Sequence, residues 1–285
     1  MAVVNENNKE IILSLKLIRQ LFCSSRYRMN ERINIIVKTI KLRKKNKLWP
    51  LFAQEVIQKL KFPDYSITID HEIIEPPYGF FNFLKTINTK GLYLDVGCGN
   101  NSPLIIKSMF PDIYYVGIDV GDYNQTKSNP ADEYIITDPD EFSDTIEKID
   151  KKFDTVISSH NLEHCNDRTK TLAALIKALK PDGYLYLSFP AGKSILFPGP
   201  RIGCLNYYDD YTHKEKPPDF YKTIGQLKEN GMEILFSSKS YKPSLMYIIG
   251  ALTEWESKRD KEIKMGTWAY WGFETIIWAK KKSGA

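Results

Sequence analysis

The chain has 285 residues, 42% of them hydrophobic and 26% charged, with a formal net charge of +5. Such a length and balance build one α/β core of about 200 residues with an appendage, and they exclude a disordered or repetitive chain. Four cysteines, at positions 23, 98, 165 and 204, show no paired spacing, which argues against a disulfide framework or a thiolate metal site and for a reducing, cytoplasmic setting. No apolar run approaches the roughly 20 residues of a bilayer span, and Lys16 and Arg19 interrupt the stretch Ile11 to Phe22.

The charge is unevenly placed. Residues 1–50 carry 12 Lys+Arg against 3 Asp+Glu, or +9, which leaves −4 for the remainder. This N-terminal arm reads as two helices, Lys9 to Phe22 and Glu31 to Lys45, with apolar positions at helical spacing and cations between them. A basic amphipathic arm suits a cap on the core or on a second copy of the chain, a peripheral membrane contact, or nucleic acid; the cap is the preferred reading. Pro50 ends the arm, a further helix is expected at Phe52 to Leu60, and Ser66 to Ile74 reads as a short strand. Residues 1–77 are therefore expected to form a basic helical arm and connector, and 78–285 the main domain, led by a helix over Tyr78 to Ile87.

From Leu92 the pattern becomes regular. Short apolar runs at Leu92 to Val96, Tyr114 to Ile118, Glu133 to Ile136, Phe153 to Ile157 and Gly183 to Phe189 read as buried parallel strands. Amphipathic stretches separate them, among them Thr169 to Leu179, stopped by Lys180-Pro181-Asp182-Gly183. Helices near Pro218 to Glu229 and Ser244 to Ser257 precede strands at Glu233 to Ser238 and Phe273 to Lys280. Alternation of this kind predicts right-handed crossovers and a doubly wound sheet.

In an open α/β sheet the ligand lies beyond the carboxyl ends of the strands, and each end here offers a polar group. The first strand runs into Asp95, Gly97, Cys98 and Gly99. A pyrophosphate would be repelled by that acid, whereas the ammonium and sulfonium of S-adenosylmethionine would be received by it. Asp119 follows 20 residues beyond Gly99, at the end of the second strand, a spacing that suits a carboxylate gripping ribose hydroxyls. Asp138 ends the third strand, where it either meets an adenine amino group or caps a helix start. The fourth ends in Ser158-Ser159-His160-Asn161-Leu162-Glu163-His164, which places Ser159 on the donor side.

At Leu94-Asp95-Val96-Gly97-Cys98-Gly99, Gly117-Ile118-Asp119, Ser159 to His164 and Leu179-Lys180-Pro181-Asp182-Gly183 the chain resembles the class I S-adenosylmethionine-dependent methyltransferases. The resemblance covers roughly residues 80 to 281. It implies a Rossmann-like, seven-stranded sheet with an antiparallel last strand. By the same resemblance Asp95, Gly97 and Gly99 border the methionine part of the donor, Asp119 the ribose and Asp138 the adenine. Asn101 stands where that turn usually has its third glycine.

The acceptor side is expected in the long connection Ala191 to Phe220, which holds Lys193, Arg201, Tyr207, Tyr208, Asp209, Asp210, Tyr211, His213, Lys214 and Lys216. Aromatic faces mixed with both charges suit a small polar acceptor, a sugar or phosphorylated metabolite. His160 and His213 are the candidate bases, with Asp210 orienting His213. His164 is read as structural, and a His160/His164 metal pair lacks carboxylate partners the sequence can place, so no metal is assigned. The expected activity is methyl transfer to an oxygen, less often a nitrogen. The alternative is a nucleic-acid-binding or nucleic-acid-modifying protein docking through its basic arm, although no aromatic strand pattern or zinc motif supports base readout.

Overall fold

The computed structural model describes residues 67–69, 72–74, 79–87, 90–99, 101–122 and 129–283. The basic arm, with the docking role assigned to it, and the helix expected at Phe52 to Leu60 lie outside them. Two compact units divide the chain: the larger takes in 78–200, 204–241 and 273–285, the smaller 201–203 and 242–272 together with the residues before Tyr78. Among the described residues no helix is long and apolar enough to cross a membrane.

The larger unit opens with helix α1 (Phe80–Thr86). There follow strand β3 (Leu92–Val96), α2 (Ser102–Met109), β4 (Tyr114–Asp119), β5 (Glu133–Ile136), α3 (Phe142–Lys148), β6 (Phe153–Ser159), α4 (Arg168–Ala178), β7 (Leu179–Pro190), α5 (Phe220–Glu229), β8 (Met232–Ser238) and β9 (Glu274–Lys281), numbered after a hairpin of β1 (Ile67–Ile69) and β2 (Glu72–Ile74) in the smaller unit. The segment read as one strand over Ser66 to Ile74 is thus two short strands, paired antiparallel with Ile67 opposite Ile74.

Seven strands form one sheet in the order β5-β4-β3-β6-β7-β9-β8. Pairing is parallel from β5 to β7, and β9 runs antiparallel to both its neighbours. The order reverses at β3, whose neighbours are β4 and β6, so the ligand crevice belongs at the carboxyl ends of these three strands. Because β9 is reversed, its first residue, Glu274, pairs with Pro190 at the end of β7 and arrives at that same edge.

Side-chain alternation along the strands fills two cores. Leu94, Val96, Val116, Ile118, Val156, Leu185 and Leu187 pack with residues of α3, α4 and α5. On the opposite face Tyr93, Tyr115, Ile157, Tyr186, Ile276 and Trp278 pack with α1 and α2. Both faces are covered, which is why these strands read as continuous apolar runs. The stop after α4 is also real: Asp182 adopts φ 62°, and the β6–β7 pairing shifts register between Phe153 and Thr155.

In the smaller unit α6 (Ser244–Asp260) packs against α7 (Thr267–Trp271) through two glycines. A Cβ on Gly250 would lie 2.1 Å from the carbonyl oxygen of Gly266, so only glycine permits this approach. Arg201 belongs here: it donates to both carboxylate oxygens of Glu254 at 2.8 and 3.1 Å and to Ser257 Oγ at 2.7 Å. Grouping it with acceptor contacts is therefore corrected, because its donors are engaged inside α6.

Candidate active site

The loop from β3 to α2 is tied to β4. Gly97 N–H donates to the Ile118 carbonyl at 2.8 Å. With φ 78°, and with any Cβ only 2.6 Å from Asn161 Cβ, Gly97 is sterically required. Asn101 keeps the geometry of the absent third glycine by adopting φ 64°, a conformation that asparagine tolerates better than most residues. Its Oδ1 is buried and finds no hydrogen-bond partner among the described residues.

Asp95 is buried at the end of β3, and its Oδ2 accepts from Tyr115 Oη at 2.6 Å and Ser102 Oγ at 2.8 Å. Burial pushes its pKa up to about 6 against those two hydroxyls. Asp119 ends β4, with Oδ2 accepting from Gly99 N–H at 2.6 Å and Oδ1 from Val120 N–H at 2.7 Å. Burial raises it too, while the two N–H groups and the His164 charge pull it back. Each oxygen retains a lone pair for a hydroxyl donor. Asp138 is exposed and caps the 3-10 turn Pro139–Glu141, accepting from Asp140 N–H at 3.0 Å. Ser159 Oγ hydrogen-bonds Ser188 Oγ at 2.8 Å, while the buried Ser158 Oγ has no partner among the described residues.

His160 and His164 do not share a helical face. His160 has φ 51°, and residues Leu162–His164 form a 3-10 turn. Nδ1 of His160 bonds Glu163 Oε1 at 3.0 Å and Nε2 bonds Glu274 Oε1 at 2.9 Å, with the ring stacked on Phe273. Burial opposes a charge on this ring, yet the two carboxylates outweigh it and raise its pKa to about 10. At neutral pH the ring is an imidazolium with both nitrogens committed, so the base role read for His160 is corrected: it holds two carboxylates in place.

His213 is brought elsewhere, to His164. Lys214 N–H donates to the Glu163 carbonyl at 2.9 Å, and Arg168 of α4 donates to the carbonyls of Lys214 and Lys216. These bonds fasten the long loop onto the turn after β6. The rings of His164 and His213 then lie 4.8 Å apart, and Tyr207 stacks on His213 at 4.3 Å. Nδ1 of His213 donates to the Tyr207 carbonyl at 2.6 Å. Asp210 Oδ2 stands 3.9 Å from Nε2, beyond hydrogen-bond reach, so the orienting partner is Tyr207 and not Asp210. Asp210 instead accepts from the Thr212 hydroxyl at 2.6 Å, and Thr212 Oγ1 contacts His164 Nδ1 at 3.0 Å. Burial lowers the pKa of His213, which leaves a neutral ring with a lone pair on Nε2.

Sequence reasoning passed over Glu163 and Glu274. Glu163 is fully buried, with Oε1 on His160 and Oε2 without a partner among the described residues. The adjacent Glu163-His164 pair after a strand was the available signal. Of the remaining loop residues, Asp209 accepts from Leu205 and Asn206 N–H as a local cap, Tyr207 is buried, and Tyr208 and Tyr211 are exposed, Tyr211 to 96%.

A family profile described as a methyltransferase domain matches residues 79–278. The 27-O-demethylrifamycin SV methyltransferase of Amycolatopsis mediterranei (strain S699) is 31% identical over 115 residues, 38% of this chain and 40% of that relative, so the chain matches well under two thirds of the relative's length. An S-adenosylmethionine-dependent methyltransferase from Mesorhizobium loti is similar in structure at TM-score 0.50 and 16% identity, covering 70% of this chain and 97% of its own. Another from Archaeoglobus fulgidus gives TM-score 0.46 and 19% identity over 70% of this chain and 90% of its own. The Mesorhizobium likeness is one of fold.

Proposed function

From the premise that the chain belongs to the S-adenosylmethionine-dependent methyltransferases, we propose that it methylates a hydroxyl oxygen of a small polar acceptor, a sugar or phosphorylated metabolite, received by the loop after β7. When bound, S-adenosylmethionine supplies an electrophilic methyl group on a sulfonium. The residues fit this donor: Gly97 and Asn101 hold the turn after β3 in left-handed conformations, Asp95 and Asp119 are buried acceptors at adjoining strand ends, and Asn101 Oδ1 is a buried acceptor of that turn without a partner among the described residues. In this reading Asp95 faces the ammonium, Gly97, Gly99 and Ser159 line the methionine part, and Asp119 takes the ribose. Asp138 contacts the adenine through the oxygen not used in its cap.

The observation that carries the acceptor reading is the Glu163–His164–His213 cluster, within electrostatic reach of Asp119 through His164. An attacking hydroxyl must shed its proton, and a cluster with a neutral Nε2 beside a buried carboxylate is suited to remove it. Exposed Tyr208 and Tyr211 on the same loop offer faces on which a sugar ring can stack. Incubating the full chain with methyl-labelled donor and a panel of sugars, sugar phosphates and amines, with mass spectrometry of the products, tests this. Label in hydroxylated acceptors is expected, and label confined to amines would refute the oxygen assignment.

A further inference from the structure

We infer that Glu163, His164 and His213 form a divalent-cation site of the two-histidine, one-carboxylate type, with an open position for the acceptor oxygen. One carboxylate oxygen of Glu163 and one ring nitrogen of each histidine lie within 4.8 Å of one another. Around a tetrahedral cation with bonds of about 2.0–2.1 Å, ligand atoms sit about 3.3 Å apart, so binding draws the three inward by about 1.5 Å at most.

The hydrogen-bond partners of the two rings already match a metal site. A carbonyl accepts only, so the 2.6 Å contact with Tyr207 O makes Nδ1 of His213 the donor. Thr212 gives its one hydroxyl proton to Asp210, so its oxygen accepts from Nδ1–H of His164. Nδ1 of each ring is thereby engaged, and Nε2 is the nitrogen left to offer a lone pair to a cation. Metal-binding histidines are held by such outer partners, a backbone carbonyl or a carboxylate-anchored group. Glu163 adds the complementary deficit: its Oε2 is buried with no partner among the described residues, a costly state for a carboxylate that a cation relieves. Two histidines and one carboxylate leave a coordination position open, the pattern of a catalytic zinc and not of a closed structural one.

Binding of the cation stands on these residues alone; its use rests on the proposed oxygen methylation. A hydroxyl in the open position loses its proton to solvent at a lowered pKa. The oxygen then attacks the methyl carbon, an O–C bond forms, the S–C bond breaks, and its electron pair returns to sulfur as a thioether. With the cation bound, Nε2 of His213 is a ligand, a role that replaces the general-base role proposed above, since its one lone pair cannot serve both.

Isothermal titration of the chelator-stripped full chain with Zn²⁺ alone, and with Mn²⁺ in parallel, tests the site. One saturable equivalent is expected for the intact protein, weakened at least 100-fold in His164→Ala and in His213→Gln, with circular dichroism checking their fold. Zn²⁺ should also raise the melting temperature of the intact chain, which needs no variant. No saturable binding by the intact chain, or undiminished binding by the double variant, overturns the site. Donor binding in chelator separates the two readings: donor bound with no cation site refutes this inference and leaves methyl transfer standing, whereas no donor binding refutes the methyl-transfer reading itself.

Discussion

His164 and His213 face each other with ring centroids 4.8 Å apart, one closing the turn after β6 and the other held in the loop after β7. The loop reaches this position because Lys214 N–H and the Arg168 guanidinium stitch it to the Glu163 backbone and to α4. Two neighbouring parallel strands thus deliver one chemical cluster at the sheet edge where β3 and β4 also end.

Replacing His213 by Ala should therefore lower kcat by roughly 10²- to 10⁴-fold while donor affinity stays within about twofold. Steady-state rates together with calorimetric donor binding separate these effects. A matching loss of donor affinity would show that His213 supports the donor site instead.

His160 should behave as a structural cation. Its replacement by Gln leaves the buried Glu163 facing a neutral partner and should cost about 3 kcal/mol in urea unfolding. A loss below about 1 kcal/mol would mean that the bonds to Glu163 and Glu274 contribute little.

Asp95 predicts an opposition between stability and binding. Its pKa rises from 3.8 to about 6 in the fold, so between these values the folded chain binds more protons than the unfolded one. Ionised Asp95 therefore destabilises the fold fully above about pH 6, and that cost disappears below about pH 4. Asp95→Asn keeps an acceptor for Tyr115 and Ser102. At pH 7.5 it should be more stable by about 1–3 kcal/mol, with the gain fading as pH falls through 6, and should bind donor more weakly. Unfolding curves that show no pH-dependent difference between the two proteins would refute this.

The placement of the proposed donor residues was legible because strand-end residues follow the strands by covalent connection. Asp95 and Asp119 are fixed once β3 and β4 pair with Asp95 opposite Gly117, and buried parallel strands announce themselves as apolar runs. Asn101 departs from the glycine pattern in sequence yet keeps the backbone, since its φ is left-handed as a glycine's would be. The cluster proposed for the acceptor was not legible. Glu274 reaches His160 across 114 positions only because β9 is reversed, and His160 and His164, four residues apart, would share a face only in a helix, where the chain instead makes a 3-10 turn. Arg201 looked like a loop cation until its partner on α6 was known.

Arg201→Ala should destabilise the protein by about 3 kcal/mol, since Glu254 loses a two-point partner in a mostly buried setting. The acceptor KM of the folded fraction should be unchanged. A raised KM without loss of stability, read from thermal melts beside steady-state kinetics, would return Arg201 to the acceptor site.

The central claim, oxygen methylation at the Glu163–His164–His213 cluster, is tested most directly by carbon NMR of the product formed from donor labelled with ¹³C in its methyl group. An O-methyl resonance that appears with the intact chain and is lost with His213→Ala is the result expected. An N-methyl or C-methyl product, or an O-methyl product formed equally fast by His213→Ala, would contradict it.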